Sequence, residues 1–197
     1  MLLGVALAGL SLTAPGCAEK ELPVFDKPAI DEVRTLLVVP LQSPPESGAG
    51  AIASGIVASR LLWARYPNLT IVEAPVFYRL VAVPGGSPCD EDALRLGREM
   101  GADAVVTGSV AFAPDVPTEA SPPRGMSKSL KDSKAYEDSV PRTGSASLDV
   151  RILSVKSSRP IYANSASAKG AAGAEIFAKA CEAALEPLEK HLLKSRK

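Results

Sequence analysis

Residues 93–110 read ALRLGREMGADAVVTGSV, and the change of period inside this stretch decides the fold. Ala93, Leu94, Gly97 and Met100 recur at helical spacing, which predicts a helix with that stripe turned inward. Just upstream, Ser87-Pro88-Cys89-Asp90 supplies a capping Ser, a Pro at the first helical position and an acid at the third. Asp90, Glu91 and Asp92 also suit the positive end of the helix dipole. Gly101 is placed to end the helix, because glycine takes the left-handed turn that closes a helix without steric cost. Residues 102–110 then form a strand, entered directly.

Working outward, residues 34–41 (RTLLVVPL) are a continuous apolar run suited to a strand buried on both faces, which Pro40 ends. Residues 42–50 form a loop, and a helix follows over about 49–66, with Ala49, Ile52, Ile56 and Trp63 at helical spacing. Pro67-Asn68 stops it. Residues 69–73 read as a second strand, and Pro75 opens a short helix through Leu80. Residues 112–143 change character: five prolines and many Ser, Lys and Asp, with no apolar periodicity, predict a disordered insertion. Strands resume at 146–153 and 161–168, an antiparallel hairpin turned by Ser157-Ser158-Arg159-Pro160. A last helix covers about 171–193, with Phe177, Cys181, Ala184, Leu188 and Leu192 as its stripe. Pro187 should kink or split it near Ala183, and residues 194–197 are a basic tail.

Residues 1–12 form an uncharged apolar run that stops at Thr13-Ala14-Pro15-Gly16-Cys17. The run is too short for a transmembrane helix, which needs roughly 20 apolar residues. It fits the apolar region of an export signal. Gly16-Cys17 matches the end of a bacterial lipoprotein signal, whereas Ala14, Pro15 and the absence of an early basic residue depart from it. The expectation is a signal peptide over 1–16, lipid (palmitate-type acyl chains) on Cys17 and a tether over 17–33. A plain cleaved signal and an incidental N-terminus are the alternatives.

Lys plus Arg and Asp plus Glu number 22 each, and aromatics are 5%. A zero net charge argues against nucleic acid, whose binding rests on a basic patch. Besides Cys17, the chain has Cys89 and Cys181. An oxidising compartment permits a disulfide between them. The competing reading makes Cys181 a small core residue and Cys89 an inert thiol, the neighbouring acids opposing any lowering of its pKa. No catalytic constellation is present. The single histidine, His191, is placed at a helix end, which excludes a His-based metal site or a Ser-His triad. Ser47-Gly48-Ala49-Gly50-Ala51 and Ser54-Gly55 lack the Gly-Lys-Ser/Thr of a phosphate loop. Glu73 and Asp103 fall near strand ends, where capping is the expected use. No cofactor and no metal are expected.

The order strand, helix, strand, helix, helix, strand, hairpin, helix resembles a superfamily of bacterial envelope proteins. It includes the curli secretion lipoprotein CsgG, the penicillin-binding-protein activator LpoB and the N-terminal domain of TolB. Leu37-Val38-Val39-Pro40-Leu41 matches the opening strand of that pattern, and residues 69–73 match its second strand. The Gly101-Ala102-Asp103 to Gly108-Ser109-Val110 element is the most telling match. The resemblance implies an α/β domain over 34–193 with a mixed sheet of about five strands and helices packed on it in three layers. It implies a non-enzymatic outer-membrane lipoprotein whose domain faces the periplasm and binds or scaffolds a protein partner in envelope assembly. Ala18, after the cysteine, resembles proteins sorted to the outer membrane. A secreted ligand-binding or hydrolytic domain is the alternative, and an oligomeric secretion-channel subunit a weaker one.

Overall fold

The computed structural model describes residues 23–44, 48–64, 68–72, 76–77, 89–114, 143–171 and 173–195. Its elements are β1 (Val24–Phe25), α1 (Lys27–Glu32), β2 (Thr35–Val38), α2 (Ala49–Trp63), β3 (Asn68–Ile71), α3 (Asp90–Glu99), β4 (Ala104–Pro114), β5 (Thr143–Ser154), β6 (Pro160–Ala171) and α4 (Ala174–Lys194). They build a mixed α/β fold on one six-stranded sheet of order β1-β6-β5-β4-β2-β3. The β3-β2-β4 side is parallel, and the remaining pairings are antiparallel.

Both faces of the sheet are covered, giving three layers. Leu36, Val38, Val106, Val150 and Ile152 face α2 and α4, while Leu37, Val39 and Val105 face Ala93 and Leu96 of α3. The continuous apolar run at 34–41 follows from this, since a strand with helices on both faces has no wet side. α4 contributes Ile176, Phe177, Leu185, Leu188 and Leu192 to the larger layer, each worth about 1.5–3 kcal/mol when fully buried. Along β5, Ala146, Leu148, Val150 and Ile152 are buried and alternate with more exposed neighbours, as the hairpin reading expects.

Several expectations are corrected. The segment read as a tether is folded from Val24 onward. Val24–Phe25 pair with Tyr162 and Ala163 as a sixth strand, and Lys27–Glu32 is a helix. Pro28 sits in its first turn, where a proline costs no hydrogen bond, and Asp26 caps it. Ile30 and Val33 are buried, so charge and proline content masked an apolar anchor. The insertion read over 112–143 is shorter at both ends, because β4 runs to Pro114 and β5 begins at Thr143. Phe112 packs edge-on against Phe177, which holds the longer strand to α4. The rest of that insertion, the 1–16 signal and most of the 75–80 helix lie outside the described residues.

Helix α3 starts two residues later than read, with Cys89 as N-cap and Asp92 closing a capping box. Helix α4 runs through Pro187 as one element. Proline has no N–H for the carbonyl of Ala183. At the next carbonyl, Ala184, the hydroxyl of Tyr162 and the amide of Asn164 (2.9 Å) both donate from β6, tying the proline turn to the sheet.

Of the stripe that the spacing picks out in α2, Ala49 is buried and Ile56 partly so. The inward face of the helix is Ala49, Gly50, Ala53, Ser54, Val57, Ala58 and Leu61, whereas Ile52 and Trp63 point outward. The small residues bring the helix axis close to the sheet. Ser54 stays satisfied there, its Oγ donating to the Gly50 carbonyl (2.7 Å) and accepting from Leu41 N–H (2.8 Å).

Candidate functional site

Open α/β sheets bind ligands beyond the carboxyl ends of their parallel strands. Here that position receives the N-terminus of α3. Thr107 Oγ1 donates to Asp90 Oδ1 at 2.9 Å, and Arg151 Nη1 lies 2.6 Å from Asp90 Oδ2. Asp149 Oδ2 is 3.9 Å from Arg151 Nε. Polar groups therefore converge near the strands at 34–41 and 102–110, but they converge on one another. The cavity beside them, between Val39, Phe77, Cys89 and Thr107, is about 10 Å³. That is room for one water, against the several hundred Å³ of a small-molecule pocket. What this arrangement does is clamp α3 across β4 and β5.

Gly108 makes the close approach there possible. A Cβ at this position, where φ is +150°, would collide with the Asp149 carbonyl on β5. Gly101 ends α3 at φ +68°, as its place in the sequence predicts. Asp103 caps the start of β2: its Oδ2 accepts from Arg34 N–H (2.9 Å) and Thr35 N–H (2.8 Å). Glu73 lies outside the described residues.

Cys89 and Cys181 are both free, which corrects the disulfide. Cys181 packs in the α2–α4 layer, and Cys89 borders the cavity on the α3 side, so the sheet stands between them. Cys89 is exposed at the N-cap of α3, where Asp92 Oδ2 accepts from its backbone N–H at 3.2 Å and from its Sγ at 3.3 Å. Burial pushes the Cys181 thiol up to about 11. Among the described residues no group of three metal-ligating side chains occurs, and no described helix is long and apolar enough to cross a membrane.

His191 stands in the last turn of α4, as expected, but with a partner the sequence did not reveal. Its Nε2 is 2.9 Å from Asp31 Oδ1 on α1. The Phe25 ring meets both Tyr162 and His191 edge-on, with centroids 5.4 Å apart in each case. Asp26 N–H donates to the Ile161 carbonyl at 2.8 Å. These contacts fasten the N-terminal lead-in to β6 and α4. Equally hidden was the bidentate pair of Arg60 Nε and Nη2 with Glu189, at 2.6 and 3.0 Å, which joins α2 to α4. The available signal was Glu189 itself, a carboxylate next to Leu188 on the inward side of α4. Cys17 lies outside the described residues.

On the α3 side beyond the clamp, no described helix lies over β4, β5 and β6. Ser109, Ala111, Ser147, Asp149, Ser165 and Ser167 line an open trough of about 370 Å³.

No protein-family model matches the chain, and no curated protein matches it. Among solved structures, PelC from Paraburkholderia phytofirmans, solved as a dodecamer, is 15% identical over 79% of this chain and 87% of that one, with a TM-score of 0.53. Lipoprotein GNA1162 from Neisseria meningitidis is 14% identical over 79% and 98%, with a TM-score of 0.46. The LpoB C-terminal domain from Salmonella enterica is 11% identical over 73% and 94%, with a TM-score of 0.39. Of these three, PelC has a TM-score above 0.5, and at 15% identity the likeness is one of fold: the chain shares the α/β architecture of PelC.

Proposed function

We propose that this chain is a non-enzymatic lipoprotein of the bacterial envelope, held to the outer membrane by lipid on Cys17, whose α/β domain binds or scaffolds a protein partner in the periplasm. The observation that carries the reading is the apolar run ending at Gly16-Cys17, followed directly by a domain whose lead-in is folded. β1 is paired into the sheet and begins at Val24, so seven residues, 17–23, separate Cys17 from the sheet. Seven residues reach at most about 25 Å when fully extended. The domain then stands close to the membrane surface, and its partner must be reached within that distance. The strand-end clamp supports the non-enzymatic part, since both carboxylate oxygens of Asp90 are engaged, one by the Thr107 hydroxyl and one by Arg151 Nη1. The sheet face lined by Ser109, Ser147 and Ser167 supports the partner-binding part, as no described helix covers it.

The test is fractionation of cells carrying Cys17→Ala. The variant is expected to fold and to move from the membrane to the soluble periplasmic fraction. Continued membrane partitioning would overturn lipid anchoring through Cys17.

A further inference from the structure

The outward face of α2 is the surface the fold leaves least explained. Its exposed or half-exposed residues are Ala51, Ile52, Gly55, Ile56, Ser59, Leu62 and Trp63, with Arg60 at the margin. Arg60 is the only charged residue in the helix, and it is turned to Glu189 and Glu182 of α4. Ile52, Leu62 and Trp63 are 43%, 51% and 71% exposed. A solvated helix face ordinarily carries charge. Loss of charge with retention of Trp and branched aliphatics is the composition of an interface centre.

The spacing is equally specific. Ile52, Ile56, Ser59 and Trp63 follow each other at intervals of four, three and four residues. That is the seam a helix offers to a second helix. The large and small residues are distributed so that the seam complements itself. Run antiparallel against a copy, the bulky Trp63 end of one helix meets the Ala51, Ile52 and Gly55 end of the other, with Ile56 and Ser59 near the axis. Antiparallel crossing also pairs opposite ends of the two helix dipoles.

We infer that α2 is the contact of a two-fold symmetric homodimer, the occupant of its exposed seam being α2 of a second copy. The exposed parts of the four apolar side chains amount to roughly 350 Å² per copy. Doubled across the axis and extended by the rim, this reaches the small end of specific interfaces, about 1,200 Å² in total. A formal net charge of +0 leaves no mutual repulsion to keep copies apart. An anionic membrane surface is a poorer fit, because among the described residues the face carries no Lys or Arg other than Arg60, which is paired with Glu189 and Glu182. The inference goes beyond the anchoring reading and is independent of it.

Trp63 is the only tryptophan in the chain, so its emission reads this seam directly. The experiment uses the full chain carrying Cys17→Ala, followed by sedimentation velocity and Trp emission over a wide concentration range. The expected result is a monomer–dimer transition with a blue shift of Trp63 emission in step. Ser59→Arg should weaken dimerisation by about tenfold or more, with an unchanged far-UV circular dichroism spectrum. Should Ser59→Arg fail to fold, Ile52→Glu is expected to give the same loss. A monomer at every concentration with solvent-exposed emission overturns the inference. So does an assembly, of any size, that survives both substitutions, or a blue shift that needs vesicles of anionic lipid.

Discussion

His191 Nε2 lies 2.9 Å from Asp31 Oδ1, joining the last turn of α4 to a helix 160 residues earlier in the chain. With Phe25 wedged edge-on between Tyr162 and His191, this contact makes the lead-in part of the domain. Phe25→Ala removes both ring contacts, each worth about 0.5–1.5 kcal/mol beyond the area lost. The expected outcome is faster amide hydrogen exchange across residues 24–32 with little change in β4 and β5. Asp31→Asn should do much less, because an exposed pair contributes about 0–1 kcal/mol.

Arg60 and Glu189 form the strongest charge contact between the two helices of the larger layer. Glu189 is 7% exposed, so Arg60→Ala leaves a carboxylate buried without its cation. A loss of about 3 kcal/mol is expected in denaturant unfolding. Arg60→Ala combined with Glu189→Leu should recover much of it, because an apolar pair avoids the desolvation that the lone charge suffers.

Alkaline pH should loosen the same layer. Burial raises the Tyr162 hydroxyl to about 12 and the Cys181 thiol to about 11, against ordinary values of 10.0 and 9.0. Both groups are neutral when protonated, so the folded state holds its protons more tightly than the unfolded chain does. Their contribution is fully present below about pH 9 and is lost as pH rises through 11 to 12. The unfolding midpoint should therefore fall above pH 9, and Cys181→Ala should flatten the lower part of that fall. Thiol-reactive reagent at neutral pH is expected to label Cys89 quickly and Cys181 only on unfolding.

At Gly108 a side chain would meet the Asp149 carbonyl. Gly108→Ala forces β4 from β5 beside the Asp90–Arg151 clamp, and should cost about 2–4 kcal/mol. Gly101→Ala, where φ is +68° but nothing lies within reach of a Cβ, should cost only about 1 kcal/mol. Thermal unfolding of the two variants checks the difference.

The parts of the fold legible in sequence were those with local signals. Residues 93–110 carried a helix period, a left-handed glycine and a strand run in unbroken order, and the structure has all three, except that Met100, read as inward, is exposed and Leu96 is buried in its place. The inward face of α2 was not legible, because the stripe that the spacing picks out, Ala49, Ile52, Ile56 and Trp63, mixes buried and exposed positions. The sheet instead receives Ala53, Val57 and Ala58, and no local rule ranks small residues above Ile52 and Trp63. The lead-in was misread because its anchors, Phe25, Ile30 and Val33, have no period of their own. Their burial depends on β6 and α4, which lie more than a hundred residues away. The clamp was invisible for the same reason: Asp90, Thr107 and Arg151 meet only once three elements are packed.

The most direct test of lipid anchoring is the intact mass of the N-terminal peptide of the protein extracted from membranes. The account predicts a chain that begins at Cys17 and carries acyl groups on that residue. An N-terminus at any other position, or an unmodified Cys17, would contradict it.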